Sequence, residues 1–192
     1  MIVQKFGGTS VGSAERFAAT ADIIENSPDP ERIVVVSAMS GTTNALLKGA
    51  REAAQGHNVW EKIQYELLEK HMAVVDTLVS EQHAAQVTKT VQDRLTEYGR
   101  FCESIETLGE LTRRGTDAVA SLGERMSACI LAAVLTSRGI QAHAVDATQC
   151  ILTDNEFGEA TPDMAATRQL SREKLLPIVQ NGNIAVVTGF IG

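Results

Sequence analysis

The sequence has little of what marks the specialised classes of protein. Its three cysteines, Cys102, Cys129 and Cys150, are scattered and odd in number, with no CxxC pair. That pattern excludes a disulfide framework and points to reduced thiols serving as small core residues, not metal ligands or nucleophiles. Four prolines and fifteen glycines in 192 residues are too few for a collagen-like or low-complexity chain. Basic residues are outnumbered, 17 Lys and Arg against 24 Asp and Glu, for a net charge of −7. A general nucleic-acid binder draws its affinity from Lys and Arg on phosphates, so this balance argues against one while leaving a single nucleotide site open. No uninterrupted apolar run approaches the roughly 18–20 residues of a membrane span. Met1 to Phe6 reads as a strand with Lys5 inside it, not as a signal peptide. His57, His71, His83 and His143 lack HExxH or other ligand spacing, so surface or satisfied histidines are expected and no metal site is. The expectation is a cytoplasmic chain with neither membrane nor nucleic-acid partner.

What is present is a globular pattern. Hydrophobic residues at 44% and charged residues at 21% suffice for a core, and the length predicts one domain or a little more. Ile2–Phe6 is a short apolar strand broken by Gly7-Gly8. Ser13 can cap a helix with the stripe Phe17, Ala21, Ile24, and the turn Ser27-Pro28-Asp29-Pro30 ends it. Ile33-Val34-Val35-Val36 has the continuous β-branched character of a strand buried on both faces of a parallel sheet. A helix from about Asn44 to Gly56 follows. Two long amphipathic stretches come next, one marked by Trp60, Ile63, Leu67, Val74, Val75 and Leu78, the other by Val87, Val91, Leu95, Cys102 and Ile105. They predict an antiparallel helical pair beside the sheet, with Glu61, Lys62, Glu66, Glu69 and Lys70 on a solvated face. A helix over Ser121–Ser137, strands at Gln141–Val145 and Cys150–Leu152, a helix over Asp163–Lys174 and a buried strand at Ile184–Val187 complete an α/β chain with a mostly parallel, helix-covered sheet. No repeat or flexible linker interrupts it. The sequence stops at Thr188-Gly189-Phe190-Ile191-Gly192, just past a strand's carboxyl end, where ligand loops of open α/β sheets begin; a fragment of a longer chain is expected.

The strongest local signal is Lys5-Phe6-Gly7-Gly8-Thr9-Ser10. Adjacent glycines let backbone N–H groups approach an anion, and the helix that follows adds its positive end. Lys5 brings a full charge, and Thr9 and Ser10 bring hydroxyls. The alternatives are a phosphoryl cradle and an ordinary strand-to-helix turn with a solvated lysine. The order of residues is not that of a Walker A loop or a GxGxxG fingerprint, and no HRD or DFG set is present.

Val3-Gln4-Lys5-Phe6-Gly7-Gly8-Thr9-Ser10-Val11 resembles the opening signature of the aspartate kinases, within the amino-acid kinase superfamily. Further blocks match in order. Val36-Ser37-Ala38-Met39-Ser40-Gly41-Thr42-Thr43-Asn44 resembles the second strand and substrate loop. Leu122-Gly123-Glu124-Arg125-Met126-Ser127 resembles the GExxS helix start. Thr153-Asp154-Asn155-Glu156-Phe157-Gly158 and Val187–Gly192 resemble later sheet segments.

The resemblance implies a three-layer αβα sandwich of the amino-acid kinase type plus the inserted helical pair. It implies that residues 1–192 are the N-terminal, substrate and phosphate-loop part of a catalytic domain, without the nucleotide-binding half and ACT domains. Lys5 would be catalytic, contacting the phosphoryl group in transfer, with Gly7, Gly8, Thr9 and Ser10 shaping the phosphate loop. Ser37 and Thr43 would line the amino-acid pocket and Glu124 would bind or orient the aspartate. The implied reaction is transfer of the γ-phosphoryl of ATP, carried with Mg²⁺, to L-aspartate in a homo-oligomer; the isolated 192-residue chain would be inactive. The alternatives are another superfamily kinase acting on a different carboxylate, carbamate or nucleotide, and a non-catalytic fragment that holds an amino acid or a partner subunit. Taken from the residues alone, Glu124 reads first as a buried, salt-bridged helix residue, while Ser37 and Thr43 could equally be strand-end and N-cap hydroxyls.

Overall fold

In the computed structural model, which describes residues 1–189, four parallel strands form one sheet: β1 (Ile2–Phe6), β2 (Arg32–Val36), β3 (Ala142–Val145) and β4 (Ile184–Thr188), in the order β1-β2-β4-β3. The helices are α1 (Ala14–Glu25), α2 (Thr42–Ala53), α3 (Val59–Leu78), α4 (Glu81–Leu108), α5 (Arg113–Ser137) and α6 (Met164–Gln180). The period of two along each strand divides the core. Phe6, Val34, Val36, Ile184 and Val186 join α1 through α5 on one face, while Ile33, Val145, Ala185 and Val187 join Leu175 and Val179 of α6 on the other. Helix, sheet and helix are therefore three layers, with β4 buried along its whole length. The expected α/β fold is the one observed.

The helical layer is thick because the long pair α3 and α4, joined through only Val79-Ser80, packs on α2 and α5 and shares one continuous core with the sheet. Helix α5 is its axis: Leu122, Met126, Ile130, Leu131 and Leu135 are all solvent-inaccessible. It is long and apolar enough by composition to cross a bilayer, although the sequence holds no uninterrupted apolar run of that length; 72% of its most apolar stretch is buried inside the protein.

Several boundaries differ from expectation. Helix α5 begins at Arg113, not Ser121, because Thr112 caps it by accepting a hydrogen bond from the Gly115 amide at 3.0 Å. Helix α2 begins at Thr42 behind Gly41, whose φ of 78° is the left-handed conformation that glycine tolerates. Helix α6 runs through Pro177 to Gln180, past Lys174, because Leu175 and Val179 are both buried against the sheet. Cys150–Leu152 is no strand. The amides of Cys150 and Ile151 both bond back to the Ala147 carbonyl, at 2.8 and 2.7 Å, and turn the chain away after β3. Thr153–Gly158 is likewise a loop, closed by an isolated bridge between Thr153 and Pro162. Phe190-Ile191-Gly192 lie outside the described residues. Cys102 and Cys150 are buried free thiols, as expected, and Cys129 is half-buried.

His71 of α3 is neither on the surface nor fully satisfied. It is entirely buried, with Nδ1 2.6 Å from the Leu67 carbonyl and no partner for Nε2 among the described residues. Burial depresses its pKa to about 4 from an ordinary 6.5. On acidification the unfolded chain binds this proton near pH 6.5 while the native state declines it until about pH 4, so stability falls as pH drops through that window and is kept above it. At about 1.4 kcal/mol per pH unit, the loss through His71 alone is expected to reach roughly 3 kcal/mol. Urea unfolding at pH 7, 5.5 and 4 checks this: His71→Leu should flatten the dependence, and equal slopes for both proteins would contradict it.

Candidate active site

The loops that leave β1 and β2 at their carboxyl ends meet the middle of α5 in an open cavity of about 340 Å³. It is lined by Gly8 and Thr9 from the first loop, Ser37–Gly41 from the second, Thr43 and Asn44 from α2, and Glu124. The two loops are stitched together by backbone. Ser37 N–H donates to the Phe6 carbonyl at 3.0 Å, extending the β1–β2 ladder, and Ser40 N–H donates to the Gly8 carbonyl at 3.1 Å. A Cβ on Gly8 would stand 2.7 Å from the Ala38 carbonyl, and one on Gly123 would stand 2.6 Å from Ala38 Cβ. Only glycine at both positions allows three chain segments to converge on Ala38.

That convergence buries Glu124, which is 7% exposed. Burial raises its carboxyl pKa, opposed by hydrogen bonding to its own backbone and that of Ala38. The GExxS segment thus lies inside α5, not at a helix start as its resemblance suggested. Its register puts Glu124 into the cavity and turns Arg125 to Asp146 at the end of β3, with Nε donating at 2.7 Å. Burial alone would raise Asp146, but hydrogen bonds from the Thr148 hydroxyl and amide, and then the Arg125 guanidinium, hold it below the ordinary range.

The expected site residues separate into two groups. Gly8, Thr9, Ser37, Thr43 and Glu124 are brought together; Lys5, Gly7 and Ser10 do not line the cavity. Gly7 and Ser10 build the turn instead, Ser10 N–H donating to the Gly7 carbonyl at 2.9 Å and the Ser10 carbonyl accepting from the Thr20 hydroxyl at 2.7 Å. Lys5 is exposed and opposes Val35, so the alternation places it on the α6 face of β1.

The helix end at the site also differs from expectation. A 3-10 turn over Gly8–Val11 separates the glycines from α1, whose amide end is capped by Ser13 and faces Glu15. The open helix end belongs to α2. Its N-cap Gly41 has no side chain, its first turn holds no acid, and Thr43 and Asn44 lie in the cavity wall. First-turn amides have no intrahelical acceptor, so this end attracts anions.

Sequence reasoning also missed Lys70, assigned there to a solvated face. It is half-buried, and its ammonium donates to the Ser40 carbonyl. The signal was available: Lys70 stands seven residues after Ile63 and three after Leu67, on the buried stripe of α3. Among the described residues no group of three His, Cys, Asp or Glu side chains is placed to hold a metal ion.

The amino acid kinase family model matches residues 1–192, the whole chain. The chain belongs to the amino acid kinase family. Within that family it is 33% identical over 195 residues to chloroplastic aspartokinase 3 of Arabidopsis thaliana, and 31% identical over 197 residues to lysine-sensitive aspartokinase 3 of Escherichia coli K12. These alignments take in 99% and 100% of the chain but 34% and 41% of the relatives' lengths. The crystal structure of E. coli aspartokinase III in complex with aspartate and ADP superposes on 99% of the chain and 40% of its own, with TM-score 0.87 and 28% identity. The fold is that of this family of kinases.

Gly123→Ala tests the packing that makes the cavity. Alanine favours a helix interior by about 1 kcal/mol over glycine, yet here its Cβ would press on Ala38 at 2.6 Å and on Thr42 Cγ2 at 3.3 Å. Overpacking of that kind costs about 1–3 kcal/mol. A lower urea midpoint with shifted amide resonances confined to Ala38–Thr43 and their neighbours is expected; a raised midpoint would contradict the packing described.

Proposed function

We propose that the chain forms the amino-acid and phosphate-loop side of an aspartate kinase site, which transfers the γ-phosphoryl group of MgATP to the side-chain carboxylate of L-aspartate and yields 4-phospho-L-aspartate. The observation that carries this reading is the convergence of Gly8, Thr9, Ser37, Thr43 and buried Glu124 on one cavity at the carboxyl ends of β1 and β2. The likeness to aspartokinases over nearly the whole chain supports it, as does the likeness to the E. coli enzyme crystallised with aspartate and ADP.

The residue types suit the reaction. An aspartate side chain, with pKa about 3.9, is ionised at neutral pH, so the acceptor needs no general base. The obstacle is that two anions must meet, and positioning and positive potential are what overcome it. The amide end of α2 supplies that potential on the substrate side, and Lys5, Gly7, Gly8, Thr9 and Ser10 supply it on the phosphoryl side, with Lys5 the catalytic group. Glu124 accepts the substrate ammonium, exchanging a costly buried charge for a paired one. Ser37 and Thr43 hydrogen-bond the acceptor. Mg²⁺ arrives with ATP as substrate.

On this reading residues 1–192 are the N-terminal part of a catalytic domain whose adenine and ribose pocket and ACT domains lie outside them. The reaction opens lysine, threonine and methionine synthesis in a cytoplasmic homo-oligomer.

In the full-length protein, Lys5→Ala is expected to cut kcat by about 10²–10³ with a small change in aspartate KM, because the cation acts on charge that develops in transfer. Glu124→Gln is expected to weaken aspartate far more than ATP. Steady-state kinetics with both substrates varied decide: a near-normal kcat for the first variant, or equal losses for both substrates in the second, would contradict these roles.

A further inference from the structure

The backbone of Ser40 is held on both sides, through two successive peptide groups. Its N–H donates to Gly8 of the first loop at 3.1 Å, and its carbonyl accepts from the Lys70 ammonium of α3. It directly precedes Gly41, whose left-handed backbone starts α2 and whose missing side chain leaves the helix end uncapped. Within the segment the Thr42 amide bonds back to the Met39 carbonyl at 2.9 Å, and from outside it Lys70 holds the Ser40 carbonyl, so both bonds bear on the geometry of Thr43 and Asn44 in the cavity wall.

Lys70 is suited to fasten it. Trp60, Ile63, Leu67, Val74 and the wholly buried His71 fix α3 in the core around it, so its stem starts from a rigid base. Burial lowers the pKa of the Lys70 ammonium, a cost to be set against the bond to the Ser40 carbonyl. His71 beside it is neutral at pH 7 and adds no competing charge.

We propose that Lys70 is a positioning residue of this site: its ammonium, held on the Ser40 carbonyl, fixes the Ser40–Gly41 peptide and with it the first turn of α2 that carries Thr43 and Asn44. The inserted helical pair is by this contact a part of the substrate loop's support. The proposal rests on the aspartate kinase reading for the identity of the substrate, but not for the mechanics of the loop.

Two variants and two readouts test it. In the full-length protein, Lys70→Met keeps the apolar stem and removes the cation; the aspartate KM should rise roughly tenfold, with kcat and the ATP KM within about twofold, since a misplaced substrate contact weakens binding of that substrate. Lys70→Arg should recover most of the loss. Amide hydrogen exchange should quicken over Ser40–Ala45 in the Met variant and stay unchanged in β2 and α5. Unchanged exchange over Ser40–Ala45, or quickened exchange throughout α2–α5 with a lowered Tm, would overturn the proposal. So would loss of both substrates in parallel. If the wild-type protein does not phosphorylate aspartate, the functional reading fails, and the exchange measurement alone decides the role of Lys70.

Discussion

Ala38 is the point on which the site depends. Its carbonyl abuts Gly8 and its methyl group abuts Gly123 so closely that neither neighbour has room for a Cβ. The loop after β1, the loop after β2 and the middle of α5 are thereby brought to one place, within the layer where α5 crosses the sheet. Packing at protein-interior density passes small volume changes on to the surroundings. A methyl group at either glycine would separate the loops or lift α5, and Glu124 would leave the cavity with it.

The electrostatic character of the site follows from that packing. Glu124 is buried because Gly123 draws its turn of α5 against the loop, and burial makes its charged form costly. One residue on, Arg125 points to Asp146, tying the same turn of α5 to the end of β3. A single helical turn therefore presents an acid to the cavity and a cation to the far strand. The open amide end of α2, whose Thr42 lies beside Gly123, gives the cavity a positive side. The cavity lining thus holds both a buried carboxylate and the amide end of a helix.

Much of this was legible in the sequence. The β-branched runs Ile33–Val36 and Ile184–Val187 identify central parallel strands, and β4 proves buried throughout. The stripe of α1 and the long helical pair were likewise readable from period. Cys150–Leu152 misled because a short apolar run fits a buried turn as well as a strand, and the local bonds back to Ala147 that decide between them leave no mark in apolar character. The GExxS segment misled because Arg113-Arg114-Gly115 looks unlike a helix start, although Thr112 caps it. Lys70 was lost to the habit of reading charge on an amphipathic helix as solvated. The glycines at 8 and 123 were visible, but which atom each lets approach is a property of the fold.

The most direct test of this account is the titration of the Glu124 side-chain carboxyl, followed by ¹³C NMR with and without L-aspartate. Burial in the cavity predicts a pKa above the ordinary glutamate range in the free protein, and a substrate ammonium placed beside it should bring that value down. A Glu124 carboxyl that titrates like an exposed glutamate, or one that L-aspartate leaves unmoved, would contradict it.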